Sequence, residues 1–198
     1  MKKIEQITSI NTNYWQEFID IYYQTFPYWE REPVNVISER IQNGNYLLFV
    51  GIDNKVVGFY ILDIVTDFNY TILTYLAIAK SKRGRGYGIS LCKDAINRCK
   101  MDWLLVEAEC PILYNKVGFK KFNFEYKVPK FGTSGSVTMY LLAIYKNNKI
   151  YKSNLIKIIK HMFINDYQLT SNDNRIYEQI SKIPNQIELI DFPSFKKS

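Results

Sequence analysis

Apolar positions along this chain recur in two periods, and the switches between them mark out the elements. Lys2 to Ile10 alternates as a first strand. Trp15, Phe18, Ile19, Tyr22 and Phe26 then recur at three- and four-residue steps, which predicts an amphipathic helix capped by Asn11 or Thr12 and stopped by Pro27. The stretch Phe26-Pro27-Tyr28-Trp29-Glu30-Arg31-Glu32-Pro33 is aromatic, charged and bracketed by prolines, a rigid loop rather than a strand. Val34 to Gln42 reads as a short helix and Asn43-Gly44-Asn45 as a turn. Tyr46 to Ile52 and Val56 to Val65, joined by Asp53-Asn54-Lys55, read as a hairpin, and Asp67-Phe68-Asn69 turns the chain into a further strand.

That strand, from Thr71 to Ala79, runs into Lys80-Ser81-Lys82-Arg83-Gly84-Arg85-Gly86-Tyr87-Gly88 and then into helical periodicity up to about Cys99, with Ile89, Cys92, Ile96 and Cys99 inward. Trp103 to Glu109 is a nearly continuous apolar run ending in acids, as a strand buried on both faces would be. Strand, helix and strand in this order make a crossover with parallel strands. Cys110 to Phe119 holds a short helix with Pro near its start and Gly at its end. Phe119 to Lys127 and Val137 to Tyr145 are expected to close the sheet as an antiparallel pair around a polar loop, residues 128 to 135. Leu155, Ile156, Ile158, Ile159 and Met162 outline a later helix, and Asp173 to Lys182 a weaker one. The tail ends with Pro193 and Lys196-Lys197.

The glycine-punctuated turn is the first candidate for chemistry. Alternate glycines let the backbone bend and leave its amides open, and the helix that follows offers unpaired N–H donors and the positive end of its dipole. An anion suits that place, most naturally a pyrophosphate, with Arg83 and Arg85 adding charge. Taken alone, the hexapeptide fits a Gly-rich hairpin or a flexible basic loop as well.

With 198 residues, 47% of them apolar, one substantial core can form, and one domain with an appendage is expected. No apolar run reaches membrane-span length and the N-terminus has no secretory h-region, so a cytoplasmic protein without membrane partners is expected. Cys92, Cys99 and Cys110 lack metal-type spacing, so no metal is expected and buried reduced thiols are the reading. A net charge of +7 invites a nucleic-acid partner, but it is spread along the chain and suits a polyanionic cosubstrate equally well, so charge does not decide between them and a nucleic-acid partner is the less expected.

Two motifs in this order resemble the GNAT superfamily of acetyl-coenzyme-A-dependent N-acyltransferases. Leu76-Ala77-Ile78 followed by Arg83-Gly84-Arg85-Gly86-Tyr87-Gly88 looks like the family's fourth strand and pyrophosphate loop. Tyr114-Asn115-Lys116-Val117-Gly118-Phe119 looks like its Tyr-x-x-x-Gly-Phe segment. Phe26-Pro27-Tyr28-Trp29-Glu30-Arg31 further resembles a branch of small bacterial GNAT proteins of unassigned substrate. The sequence departs from the family at Lys80, where Pro is common, and in lacking an Asn in the helix before Tyr114.

The resemblance implies an α/β (α+β) fold. It has a mixed, mostly antiparallel twisted sheet with flanking helices and a parallel central strand pair, over residues 1–146; residues 147–198 lie beyond the resemblance and read, from Ile156, Ile159 and Met162 at helical spacing, as a C-terminal helical extension. That extension is expected to dock on the domain or on a second subunit, which would make a homodimer. The implied activity is acetyl transfer from acetyl-coenzyme A to a primary amine of a small molecule or peptide. The alternative is a GNAT-fold acyl-coenzyme-A sensor without catalysis. By resemblance, the backbone of Leu76 and Ile78 would bond the pantetheine arm and the amides from Arg83 to Gly88 the pyrophosphate. Ala77, Ile89 and Asn115 would complete the coenzyme contacts. Tyr114 would protonate the leaving thiolate and Glu107 would act as base, with Trp29, Glu30, Arg31 and Glu109 on the acceptor side. The plainer readings are a packing aromatic for Tyr114, strand-end acids for Glu107 and Glu109, and an aromatic staple with a local ion pair for Trp29 to Arg31.

Overall fold

The computed structural model describes residues 1–145 and 150–192, so the expected 146/147 boundary, the Lys146–Lys149 turn and the end of the tail lie outside the described residues. Strand β1 (Lys3–Ile7) is followed by helix α1 (Asn13–Thr25), whose N-cap is Thr12. The Thr12 hydroxyl accepts from the Trp15 amide at 3.2 Å, a bond of the kind worth about 1 kcal/mol. The Phe18 edge meets the Phe59 ring at 4.7 Å, so the helix is fixed on the sheet by aromatic packing as well as by area. A single 3₁₀ turn, Tyr28–Glu30, leads to α2 (Val34–Gln42), and a meander of β2 (Tyr46–Asp53), β3 (Lys55–Val65) and β4 (Tyr70–Ile78) follows.

The glycine turn opens α3 (Tyr87–Arg98), and β5 (Trp103–Ala108) returns beside β4 in parallel. The buried stripe of α3 is Leu91, Cys92, Ala95 and Cys99, while Ile89 and Ile96 are only half-buried, so the inward face is turned from the expected one. Cys110 is exposed, which corrects the expectation of three buried thiols.

After α4 (Ile112–Asn115), the expected strand from Phe119 to Lys127 is broken into β6 (Lys120–Phe122) and β7 (Tyr126–Pro129), both paired with β8 (Ser136–Tyr145). The break has a cause in the C-terminal segment. The Asn123 side chain donates to the Gln186 carbonyl and accepts from the Glu188 amide, and β9 (Leu189–Ile190) pairs with β6. The sheet order is β1-β2-β3-β4-β5-β8-β6-β9, with β7 beside β8, antiparallel except at β4–β5.

Helices α5 (Lys152–His161) and α6 (Asn174–Ser181) cover one face of this sheet. Leu155, Ile158, Ile159, Phe163 and Ile176 share a buried cluster with Ile72, Leu105, Tyr126 and Ala143 of the strands. Residues 150–192 therefore supply part of the core rather than hanging from it. A π-helical turn, Met162–Asp166, ends α5 and aims Asp166 inward, where Arg40 of α2 meets it at 2.9 Å.

Candidate active site

The site begins where β4 and β5 part. They pair only at Tyr70–Trp103, Thr71–Leu104 and Ile72–Leu105, after which both strands continue unpaired with each other. A bulge in β4 drives the separation. Ile61 faces Tyr75 but Leu62 faces Leu73, so Thr74 is an extra residue that bends and twists the strand away.

Beyond the bulge, the register on β3 fixes which backbone groups look into the gap. The Ala79 amide donates to the Val57 carbonyl at 2.9 Å, and hydrogen-bonded pairs recur every second residue, so Ala77 and Tyr75 bond to β3. The N–H and C=O groups of Leu76 and Ile78 then point away from β3, into the gap. Arg83 Nε takes up the Ile78 carbonyl at 3.2 Å, bracing the turn that follows. An extended amide-bearing chain can add to Leu76 there like a further strand. Ala77, with its polar groups on β3 and its methyl in the core, contributes little to that edge.

At the end of the gap lies the glycine turn. Gly84 and Gly86 have φ of 77° and 78°, and Gly86 is the N-cap of α3. Nothing lies within 4 Å of where a Cβ would stand on either, so this is an open cradle of backbone rather than a packed corner. The exposed Arg83 and Arg85 flank it. These features fit a pyrophosphate, as glycine-lined helix N-termini do generally. Tyr87 turns back to Asp53, its hydroxyl donating at 3.2 Å, and Ile89 is half-buried.

Tyr114 sits on the α3 side of the sheet, its ring edge-on to Phe119 at 5.5 Å and in the same apolar cluster as Leu76 and Ile78. Burial, with a smaller effect from Cys92, pushes its hydroxyl pKa up, so it stays protonated at neutral pH. Asn115 is exposed beside it.

On the other face of β5 lies a small cavity of about 90 Å³, partly open to solvent. Its walls include Phe26, Trp29, Leu73, Thr74, Tyr75, Phe131 and Met162, and its acids are Glu30, Glu32, Glu107 and Asp166. Glu107 accepts from the hydroxyls of Tyr126 and Tyr167, the latter at 2.5 Å, so both of its oxygens are held. Burial raises its pKa to about 7, against the pull of those two hydrogen bonds and with help from the nearby charge of Asp166. The buried Thr74 Oγ1, at the bulge, has no partner among the described residues.

Two tyrosines fix the loop on the cavity's other side. Tyr75 accepts from the Glu32 amide at 3.1 Å and donates to the Glu30 carbonyl at 2.9 Å, while Tyr22 donates to the Glu32 carbonyl at 3.0 Å. The Phe131 amide donates to the Trp29 carbonyl at 2.9 Å. The loop, built on the single 3₁₀ turn, is thus tied down at Trp29, Glu30 and Glu32.

Of the residues expected on the acceptor side, Trp29 and Glu30 line the cavity. Arg31 instead lies over the Tyr23 ring at 4.7 Å, outside the lining. Glu109 is exposed, and its charge reaches Glu30, whose pKa is raised first by burial and then by Glu109. Tyr114 and Glu107 are on opposite faces of β5, and only Glu107 lines this cavity. Sequence reasoning missed Glu32, Tyr126, Asp166 and Tyr167. The only signal was for Glu32, an acid inside the proline-bracketed aromatic loop.

No curated protein sequence matches the chain. Solved structures do. A GNAT-family acetyltransferase from Bacteroides thetaiotaomicron superimposes with a TM-score of 0.72 at 17% identity, over 85% of this chain and 99% of that one. The ribosomal-protein-S18-alanine N-acetyltransferase of Escherichia coli gives 0.55 at 19% identity, over 76% and 99%. A GNAT acetyltransferase from Elizabethkingia anophelis, solved with acetyl-CoA bound, gives 0.52 at 20%, over 73% and 97%. Such likenesses show the fold. The sequence model of the acetyltransferase (GNAT) family matches residues 15–119, just over half of the chain, which therefore belongs to the acetyltransferase (GNAT) family.

Proposed function

We propose that the protein is an acetyl-coenzyme-A-dependent N-acetyltransferase acting on a primary amine of a small molecule or peptide. One observation carries this reading. The parted strands β4 and β5 have the open glycine cradle and the outward backbone of Leu76 beyond the parting, and a cavity bordered by Thr74, Tyr75 and the buried carboxylate of Glu107, with a pKa of about 7, on one face. The family's presence in cofactor-bound form elsewhere supports the choice of coenzyme, and intracellular supply of that thioester would put the work in the cytoplasm.

In this reading the amides from Arg83 to Gly88 bind the pyrophosphate, with Arg83 and Arg85 neutralising charge, and Leu76 and Ile78 align the pantetheine arm. Bound acetyl-coenzyme A supplies an acetyl thioester, whose carbon–sulfur bond breaks as the amine nitrogen forms the new amide bond. Glu107 takes the proton that the amine loses, directly or through water, and is matched in pKa to do so near neutrality. Tyr114 gives its proton to the departing sulfur. Trp29, Glu30 and Glu109 lie on the acceptor's path. Residues 1–146 form the acetyltransferase domain in this scheme and 147–198 an extension, which adds Asp166 and Tyr167 to the site.

Thiol release from acetyl-coenzyme A over a panel of primary amines tests the activity, beside titration calorimetry of coenzyme A binding. Turnover with at least one amine is the expected result. Coenzyme A binding without turnover on any amine would turn the assignment to a non-catalytic acyl-coenzyme-A sensor, and no binding would remove both.

A further inference from the structure

The cavity contains two kinds of carboxylate. Glu107 has a hydroxyl donor on each oxygen. Glu32, only 2% exposed, has none. Neither Oε1 nor Oε2 accepts a hydrogen bond among the described residues, and the nearest cation, Arg40 Nε, stands 3.4 Å from Oε1. That contact is an ion pair made through Nε, while the two Nη atoms of the same guanidinium bind the Tyr46 hydroxyl at 2.7 Å, Asp166 at 2.9 Å and the Asn165 carbonyl. The ion pair offsets part of the burial of Glu32 but leaves Oε2 without a donor, and a buried carboxylate oxygen in that state is costly unless a ligand supplies one.

The rest of the lining describes that ligand. Glu30, Glu32, Glu107 and Asp166 face the cavity, and among the described residues no lysine, arginine or histidine does. Phe26, Trp29, Tyr75 and Phe131 line it beside the acids, and aromatic rings attract a cation and cover an aliphatic stem. A reacting amine must lose its charge before it can attack a thioester, so an acid that holds an ammonium as an ammonium works against that nitrogen. Glu107 is satisfied within the protein and suits proton removal. Glu32 has an ion pair at one oxygen and no hydrogen-bond donor at the other, and suits a cation that stays charged.

We propose that the acceptor is a diamine, with one nitrogen presented to Glu107 for acetylation and the second, as an ammonium, held by Glu32. This rests on the cavity being the acceptor site of an acetyltransferase. The three N–H donors of an ammonium supply what the Glu32 oxygens lack, and the aromatic walls fit the methylene stem between the two nitrogens.

The test pairs amines of equal length, 1-aminobutane with 1,4-diaminobutane and 1-aminohexane with 1,6-diaminohexane, on the full chain and on Glu32→Gln. A charge-assisted hydrogen bond of the usual strength corresponds to about 10- to 100-fold, so at least one diamine should exceed its monoamine by that factor in kcat/KM. In Glu32→Gln the ratio should collapse towards one, chiefly through KM of the diamine. Matched diamines and monoamines used equally well, or a ratio unchanged in the variant, would overturn the proposal. Calorimetry of the same amines on the coenzyme A complex keeps it separate from the activity assignment. Tighter diamine binding that Glu32→Gln removes supports the site even if no acetyl group moves, and equal or absent binding of both members of each pair overturns it. Coenzyme A affinity of the variant, expected at the wild-type value, shows that it is folded.

Discussion

A carboxylate enclosed by two tyrosines is an unusual base, because its hydrogen bonds favour the charged form while burial opposes it. At Glu107 burial wins, and the resulting pKa of about 7 sets a pH dependence with a definite sign. The base works only when ionised, so kcat/KM should rise with pH through about 7 and level off above it. Tyr126, Tyr167 and Asp166 are the ionisable groups that face it, and the tyrosines do not titrate in this range. Glu107→Gln should lower kcat by about 10²–10⁴-fold and erase this limb, and a limb that survives at the same pH would assign it to another group. Tyr114→Phe makes a different prediction. It keeps the ring against Phe119 and the coenzyme contacts while removing the one proton, so KM for acetyl-coenzyme A should hardly move. The thiol leaves fairly well unaided, so kcat should fall by about 10²-fold, the low end for general acid catalysis. A kcat within twofold of the wild type, with chemistry shown to be rate-limiting, would reduce Tyr114 to a packing residue.

Elements differ in how openly the sequence announces them. Helix α2 has its expected bounds, and the meander and the parallel crossover fall where periodicity puts them, since each buries its own apolar face. The β4 bulge at Thr74 was not legible, because no glycine or proline marks it and only pairing with β3 shows the extra residue. Nor was the break between β6 and β7, which Asn123 makes through contacts with residues 186 and 188. The glycine turn was legible because its backbone needs are local. At Gly86, with φ of 78° and no atom near the Cβ position, a valine would meet only backbone strain of about 1–2 kcal/mol in the free protein, but would stand where the pyrophosphate is expected. Gly86→Val should therefore weaken coenzyme A binding by well over tenfold while the melting temperature falls only by a few degrees. Unchanged affinity by titration calorimetry would take the phosphate away from this loop.

At the scale of the molecule, the site is assembled from both ends of the chain. Trp29 and Glu32 come from the loop after α1, Glu107 from the central strand, and Asp166 and Tyr167 from the segment after α5. The loop was legible as a rigid, aromatic and charged segment, and Trp29 and Glu30 do line the cavity. Which of its charged residues turn inward was not, because the hydroxyls of Tyr22 and Tyr75 decide it. The π-helical turn was beyond reach for the same reason, since its role depends on Arg40 and Glu107 far along the chain. A C-terminal segment that merely covered the sheet would affect stability alone. Here it also holds one oxygen of the proposed base, through the Tyr167 hydroxyl at 2.5 Å, while the Tyr167 ring packs on Phe131 at 5.2 Å and on Phe163 at 5.8 Å. Tyr167→Phe keeps both ring contacts and removes one hydrogen bond that favours the carboxylate over the acid. The Glu107 pKa should then rise above about 7, and the acid limb of kcat/KM should move to higher pH. At pH 7 a smaller fraction of the enzyme would carry the ionised base, so activity should fall several-fold there and return towards the wild-type level near pH 9. Loss of packing would instead lower activity by the same factor at every pH and depress the melting temperature. A limb that stays in place in Tyr167→Phe, with activity reduced uniformly, would confine the C-terminal segment to a structural role.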